Sequence, residues 1–248
     1  MLLAPGRAAA VASVRAGLDV FLNQPRRVCH GKHGFCSFRE GRHLQLEGSS
    51  MTRRAAKYPR RMATALARVL VAERGRGYVI DGFSGSGIVG DAVRRLGVPT
   101  KSFEVNRDTR EDMCTLDFSR WMAGECAAGK LRGVMLPVPC STFSVAQSRS
   151  GRAIRSQDSP RGLPGLNVRE QARVAAGNRI LHAVIRLLRI LNQYKIPWII
   201  ENPTSSYLWW DKGLQTQMRD AVVCPVHQCS FGAPWRKATT LAFGNTRY

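Results

Sequence analysis

Tyr78-Val79-Ile80-Asp81-Gly82-Phe83-Ser84-Gly85-Ser86-Gly87 is the stretch on which the fold class turns. A short apolar run, Tyr78 to Asp81, reads as a buried strand. It breaks into a turn with three glycines, and Val89, Val93 and Leu96 then recur at helical spacing until Gly97 closes the helix. Thr100 to Glu104 reads as the next strand. Glycines in such a turn remove side chains, so a ligand can approach the backbone, and the helix start beyond offers free N–H groups. Glu104 lies about twenty residues beyond the loop, where nucleotide-type sites carry an acid that accepts hydrogen bonds from ribose hydroxyls. The expected ligand residues are Asp81, Phe83, Ser84, Gly85, Ser86, Gly87 and Glu104. This geometry alone leaves a dinucleotide open.

The pattern continues in both directions. Met62, Leu66, Val69 and Leu70 form a helical stripe after Pro59, a residue suited to a first turn. Phe118–Ala128 reads as helix and Gly133–Leu136 as strand. A long loop rich in Ser, Arg, Gly and Pro spans Gln147 to Asn167. Ile180, Val184, Leu187, Leu188 and Leu191 line one face of a strong helix, and Ile196–Ile200 reads as strand. Two further strands are expected near Ala221–Gln228 and Thr239–Phe243. Strands alternating with helices imply an α/β fold: a doubly wound, mostly parallel sheet with both faces covered. We read residues 58–248 as this domain and residues 1–57 as a basic, partly disordered extension.

The chain has 248 residues, 44% of them hydrophobic, enough for a sizeable core. No apolar stretch approaches a membrane span, so a soluble protein without a membrane partner is expected. The formal net charge of +21 favours a polyanionic partner, nucleic acid being the common one. Seven cysteines, an odd number without a secretory signal, suggest free thiols in a reducing compartment, nuclear or cytoplasmic. The weakly amphipathic start, MLLAPGRAAAVASVRAGLDVF, makes organelle targeting the lesser reading.

Two further segments carry chemistry. Pro139-Cys140-Ser141-Thr142-Phe143-Ser144 follows the Gly133–Leu136 strand, and Glu201-Asn202-Pro203 follows the Ile196–Ile200 strand. In an open parallel sheet, ligands gather at the carboxyl ends of the strands. A thiol there can be a nucleophile once ionised, and a carboxylate after an apolar run needs a polar partner. Each residue alone has a bland reading, an inert buried thiol or a salt-bridged acid. Together with the glycine loop they imply a site.

These segments resemble the C5-cytosine DNA methyltransferase family. DGFSGSG at 81–87 looks like its first cofactor motif, PCSTFS at 139–144 its nucleophile motif, and ENP at 201–203 its ENV motif. CSFGAPWRK at 229–237 is similar to its FGVPQ-type motif. The resemblance covers roughly residues 78–248 and extends, loosely, to minimal members in mobile elements and protist genomes. It implies a Rossmann-like S-adenosylmethionine-dependent methyltransferase fold. It also implies that Cys140 attacks C6 of cytosine while Glu201, with Asn202 beside it, engages N3 and the exocyclic amine. Phe83 and the glycines would hold the methionine part, Glu104 the ribose, Asp112 or else Asp117 the adenine amine, and Pro139 would border the cofactor.

Several features depart from the family. Its target-recognition domain normally follows the FGVPQ motif, whereas the sequence stops at Tyr248, which leaves a partner chain for target recognition as an open reading. Its closing helix is also absent from this end, and the Met62–Leu70 helix could fill that place. Of the two arginines in the QxRxR motif, Lys237 replaces the first and Thr239 the second, with Arg236 as a possible substitute cation. Arg149, Arg152, Arg155 and Arg161 lie in the loop after Cys140 and, with Arg236, are candidate phosphate contacts. Cys29, His30, His33 and Cys36 match no trusted zinc spacing, so no metal site is assigned. Three readings stay open: cytosine methylation of DNA, the same chemistry on RNA, and a catalytically dead nucleic-acid-binding remnant of a mobile element. An unrelated dinucleotide enzyme is disfavoured by Cys140 and Glu201.

Overall fold

The computed structural model describes residues 60–72, 76–145 and 152–246. The extension over 1–57, the Cys29–Cys36 cluster and Arg149 lie outside the described residues. In chain order the elements are α1 (Arg60–Ala72), β1 (Tyr78–Asp81), α2 (Ile88–Arg95), β2 (Thr100–Ser102), α3 (Leu116–Ala127) and β3 (Leu131–Pro137). They continue with α4 (Val168–Gln193), β4 (Trp198–Pro203), α5 (Lys212–Gln217), β5 (Val222–His227) and β6 (Ala238–Gly244).

The six strands form one mixed sheet in the order β2-β1-β3-β4-β6-β5. β2, β1, β3 and β4 are parallel to one another, and β6 runs antiparallel to both β4 and β5. The fold is therefore α/β and mostly parallel, as the alternation of elements implies.

Side-chain alternation along the strands separates two cores. Val79, Met135, Ile199, Leu241 and Phe243 face α1 and α2, meeting Met62, Leu66, Leu70, Val89 and Val93. Ile80, Val134, Leu136, Trp198, Ile200 and Ala242 face the other way, onto Phe118 and Met122 of α3 and the Leu181–Leu191 stripe of α4. Met62, Leu66 and Leu70 are at most 1% exposed. At roughly 1.5–3 kcal/mol for each fully buried apolar side chain, they make α1 an integral layer of the domain. The expectation that this early helix packs on the sheet is met.

Strand boundaries differ from the sequence reading: β2 ends at Ser102 rather than Glu104, and β3 runs Leu131–Pro137 rather than Gly133–Leu136. β4 runs to Pro203 rather than Ile200, because Glu201, Asn202 and Pro203 pair with Leu241, Thr240 and Thr239 of β6. The acid is thus part of the strand, not of a turn after it. α4 begins at Val168, directly after the loop that the sequence reading ends at Asn167, and a capping box closes its first turn. Asn167 Oδ1 accepts from Glu170 N, and Glu170 Oε2 accepts from Asn167 N. No helix among the described residues is long and apolar enough to cross a membrane.

Candidate active site

From β1 the sheet extends to β2 on one side and to β3 on the other. That reversal opens a crevice at the carboxyl ends of β1 and β3, the usual ligand position in an open α/β sheet. All four parallel strands deliver candidate residues to this one rim: Asp81–Gly87 after β1, Glu104 after β2, Pro139–Cys140 after β3, and Glu201–Asn202 at the end of β4.

The β1–α2 loop is shaped by its backbone. Phe83, Gly85 and Gly87 have φ of 49°, 54° and 71°. Glycine accepts this region freely, whereas a phenylalanine there is an outlier of the kind that clusters at functional sites. A Cβ built on Gly85 or Gly87 would meet nothing within 4 Å, so open space lies over both. Asp81 is buried and its Oδ2 accepts from Gly90 N at 2.9 Å, tying the strand end to the first turn of α2. Glu104 braces the loop from β2: Oε2 accepts from Gly85 N at 2.8 Å, and Oε1 accepts from Asn106 N and Nδ2 at 3.1 and 2.8 Å. A carboxylate has about four acceptor sites, so capacity for one further donor remains. Ser84 is buried, and its Oγ has no hydrogen-bond partner among the described residues.

Cys140 is half-buried on the same rim. Its carbonyl accepts from Phe143 N at 3.0 Å and Ser144 N at 2.9 Å, which folds residues 140–144 into a turn. Phe143 is the turn's anchor. Its ring is fully buried, and its carbonyl accepts from Tyr207 N at 2.9 Å and Ser206 Oγ at 3.4 Å.

Glu201 sits opposite Pro137 on the adjacent strand. Neighbouring strands lie about 4.8 Å apart, and Cys140 is three residues past Pro137, at most about 11 Å of chain. Thiol and acid therefore share one stretch of the rim. Asn202 closes the arrangement: its Nδ2 donates to Val138 O at 2.7 Å, holding the approach to Cys140 against β4. Asn202 Oδ1 is buried and has no hydrogen-bond partner among the described residues. Glu201 has a side chain 1% exposed, and Lys237 Nζ stands 3.7 Å from its Oε1. Lys237 is one-third exposed, so the cation bridges solvent and the buried acid. Thr239, by contrast, is a buried strand residue facing Pro203 and contributes no charge.

Other candidates do not join the site as expected. Asp112 accepts from Cys114 N at 2.8 Å and forms an ion pair with Arg179 of α4, which leaves its carboxylate acceptor capacity for a further donor. Burial, reinforced by Asp112, pushes the neighbouring Cys114 thiol up to about 11. Asp117 is exposed and pairs with Arg120. The expectation that Arg155 contacts phosphate is overturned, because its side chain is 1% exposed and wholly occupied by its own chain. Arg161 is bound to Asp211 through Nε at 2.6 Å and Nη2 at 3.3 Å, with half of its side chain still exposed. Arg152 donates to Gly165 O at 3.1 Å and remains exposed, as does Arg236. Trp209 and Trp210 line a cleft of about 440 Å³ with Thr204, Met218, Val223 and Thr240. Among the described residues no group of three or more His, Cys, Asp or Glu is gathered to hold a metal ion.

Sequence reasoning missed the Arg155 node, whose partners in Thr142, Pro160, Val174 and Asn178 are scattered across 36 residues of chain. Comparison with known protein families, with curated proteins and with solved structures found no match.

Proposed function

We propose that this chain is an S-adenosylmethionine-dependent methyltransferase acting on C5 of cytosine in nucleic acid, built on the Rossmann-like fold of the family its motifs resemble. The observation that carries the reading is the convergence of a thiol, a buried acid with its own lysine, and an open glycine cradle. All three lie at the carboxyl ends of adjacent parallel strands, beside the point where strand order reverses.

The residues present fit the cofactor in most respects. The open space over Gly85 and Gly87, flanked by Phe83, Ser84 and Ser86, suits the methionine portion, and the spare acceptor capacity of Glu104 suits the ribose. Pro139 borders the same rim. Asp112 would accept from an adenine amine beside its bonds from Cys114 N and Arg179. When bound, the cofactor supplies an electrophilic methyl group.

The chain's own residues supply the rest. The Cys140 thiolate adds to C6 of the cytosine, forming an S–C6 bond and pushing the C5–C6 electron pair toward C5. The Glu201 carboxyl group hydrogen-bonds N3 and the exocyclic amine, where charge accumulates, and Lys237 holds that carboxyl in place. Asn202 fixes the strand end that presents both groups. Once C5 has bonded to the methyl group that the cofactor would give up, loss of the C5 proton to solvent would expel the thiolate and restore the ring. Thiol attack needs a face of the base, so a duplex target must be flipped out, whereas a single strand need not be. The charge of +21 favours a polyanionic substrate, which we read as DNA before RNA.

Incubation with methyl-labelled S-adenosylmethionine and cytosine-containing DNA or RNA tests this. Label recovered as 5-methylcytosine, and lost in Cys140→Ala, is the expected result. Cofactor binding without transfer to any polymer would instead favour the nucleic-acid-binding remnant.

A further inference from the structure

Among the described residues of the loop that follows Cys140, Arg155 is the most buried charged group, and burial lowers its pKa to about 10. Every bond it makes goes to its own chain. Nε donates to Thr142 O at 3.1 Å, and Nη2 to Thr142 Oγ1 at 3.1 Å and Val174 O at 3.0 Å. Nη1 donates to Pro160 O at 2.6 Å and Asn178 Oδ1 at 2.8 Å. The guanidinium also stacks 4.0 Å over the Phe143 ring. Two of these partners, Thr142 and Phe143, are the middle of the turn that starts at Cys140. The others belong to α4 and to the returning loop.

We propose that Arg155 is a positioning residue for Cys140, clamping the nucleophile turn to α4 so that the sulfur is held half-buried at the rim. The clamp is double-sided. Arg155, anchored on Val174 and Asn178, grips the turn from the α4 side, while Ser206 and Tyr207 grip Phe143 O from the segment after β4. Gly177 leaves the room: a Cβ there would fall 2.3 Å from Thr142 Oγ1 and 2.7 Å from Arg155 Nη2. The importance of the clamp rests on the reading of Cys140 as the nucleophile, but the clamp itself can be measured without catalysis.

The test is the rate of iodoacetamide alkylation of each cysteine in the folded full chain, resolved by mass spectrometry. Half-buried Cys229, on a different element, is the internal reference. Releasing the turn frees the sulfur, so Arg155→Met should raise the Cys140-to-Cys229 rate ratio about tenfold. Thr142→Val removes only one contact to the clamp and should raise it about threefold, which keeps the test open if Arg155→Met does not fold. Thr115→Ala removes the N-cap of α3, weakening the fold away from the clamp, and should leave the ratio unchanged. An unchanged ratio in Thr142→Val and Arg155→Met, or an equal rise in Thr115→Ala, would overturn the proposal by making Arg155 a general stabiliser. Methyl transfer by the wild type is scored separately. If it is absent while the ratios shift as stated, the catalytic reading fails and the clamp stands.

Discussion

Replacing Gly177 with alanine tests whether packing, rather than helix propensity, governs the middle of α4. In an exposed helix interior the change would gain about 1 kcal/mol, because alanine loses less backbone entropy. At Gly177 the added methyl would lie 2.3 Å from Thr142 Oγ1, 2.7 Å from Arg155 Nη2 and 3.4 Å from Phe143 Cε2. Forcing a methyl into a filled core costs about 1–3 kcal/mol. Prising Arg155 from Thr142 strains a charge-assisted bond worth about 1.5–3 kcal/mol. The balance is a net loss of about 1.5–5 kcal/mol. Gly124 of α3 is the matched control, since it is exposed and a Cβ there would meet nothing within 4 Å. Urea denaturation with an unchanged m-value should give Gly177→Ala a lower midpoint than wild type and Gly124→Ala a slightly higher one. A Gly177→Ala midpoint at or above wild type would refute the account of how α4 receives Arg155 and the Cys140 turn.

Lys237→Met should lower the methyl-transfer rate about 10²-fold, the scale of a lost proton-positioning group, with cofactor affinity by calorimetry unchanged. Acid titration of stability should report Asp211. Burial raises its pKa, but the hydrogen bonds from Arg161 and Leu214 and the charge of Arg161 outweigh this and hold it below the usual carboxylate value. Its contribution is therefore present above the unfolded value of 3.8 and is lost as pH falls through the lower native one. Asp211→Asn keeps the helix cap and should flatten that acid limb in urea midpoints taken between about pH 6 and about pH 3. Nucleic-acid affinity should fall steeply with salt, and Arg152→Ala or Arg236→Ala should each reduce the slope of log K against log salt by about 1. Arg236 is exposed, and its change should leave stability within about 0.5 kcal/mol, whereas Arg152→Ala also gives up the bond to Gly165 O and the ion pair with Glu170 and should cost about 1 kcal/mol.

How much of this was legible in the sequence depended on whether the signal was local. β1 and its glycine loop read correctly because a short apolar run followed by glycines has few other uses. The two cores follow from period-two alternation, visible in Val134-Met135-Leu136 and Trp198-Ile199-Ile200. β4 was read three residues short because its last positions, Glu201-Asn202-Pro203, are polar or imino and look like a turn. Pairing with β6, nearly forty residues on, and of Glu201 with Pro137 of β3 keeps them extended. The start of α4 was legible because the Ser/Arg/Gly/Pro-rich loop gives out at Asn167, and the Asn167-x-x-Glu170 capping box accounts for that boundary. Arg155 was illegible in principle. An arginine in a Ser/Gly/Pro-rich stretch looks solvated, and its burial depends on acceptors 13, 19 and 23 residues away.

Covalent capture tests the central claim most directly. An oligonucleotide containing 5-fluorocytosine cannot lose a C5 proton, so the sulfur–C6 bond formed during methyl transfer persists. Incubated with S-adenosylmethionine, the protein should become cross-linked, and peptide mapping should find the base on Cys140. A cross-link on another cysteine, or none at all while cofactor and oligonucleotide both bind, would contradict the assignment of that thiol as the nucleophile.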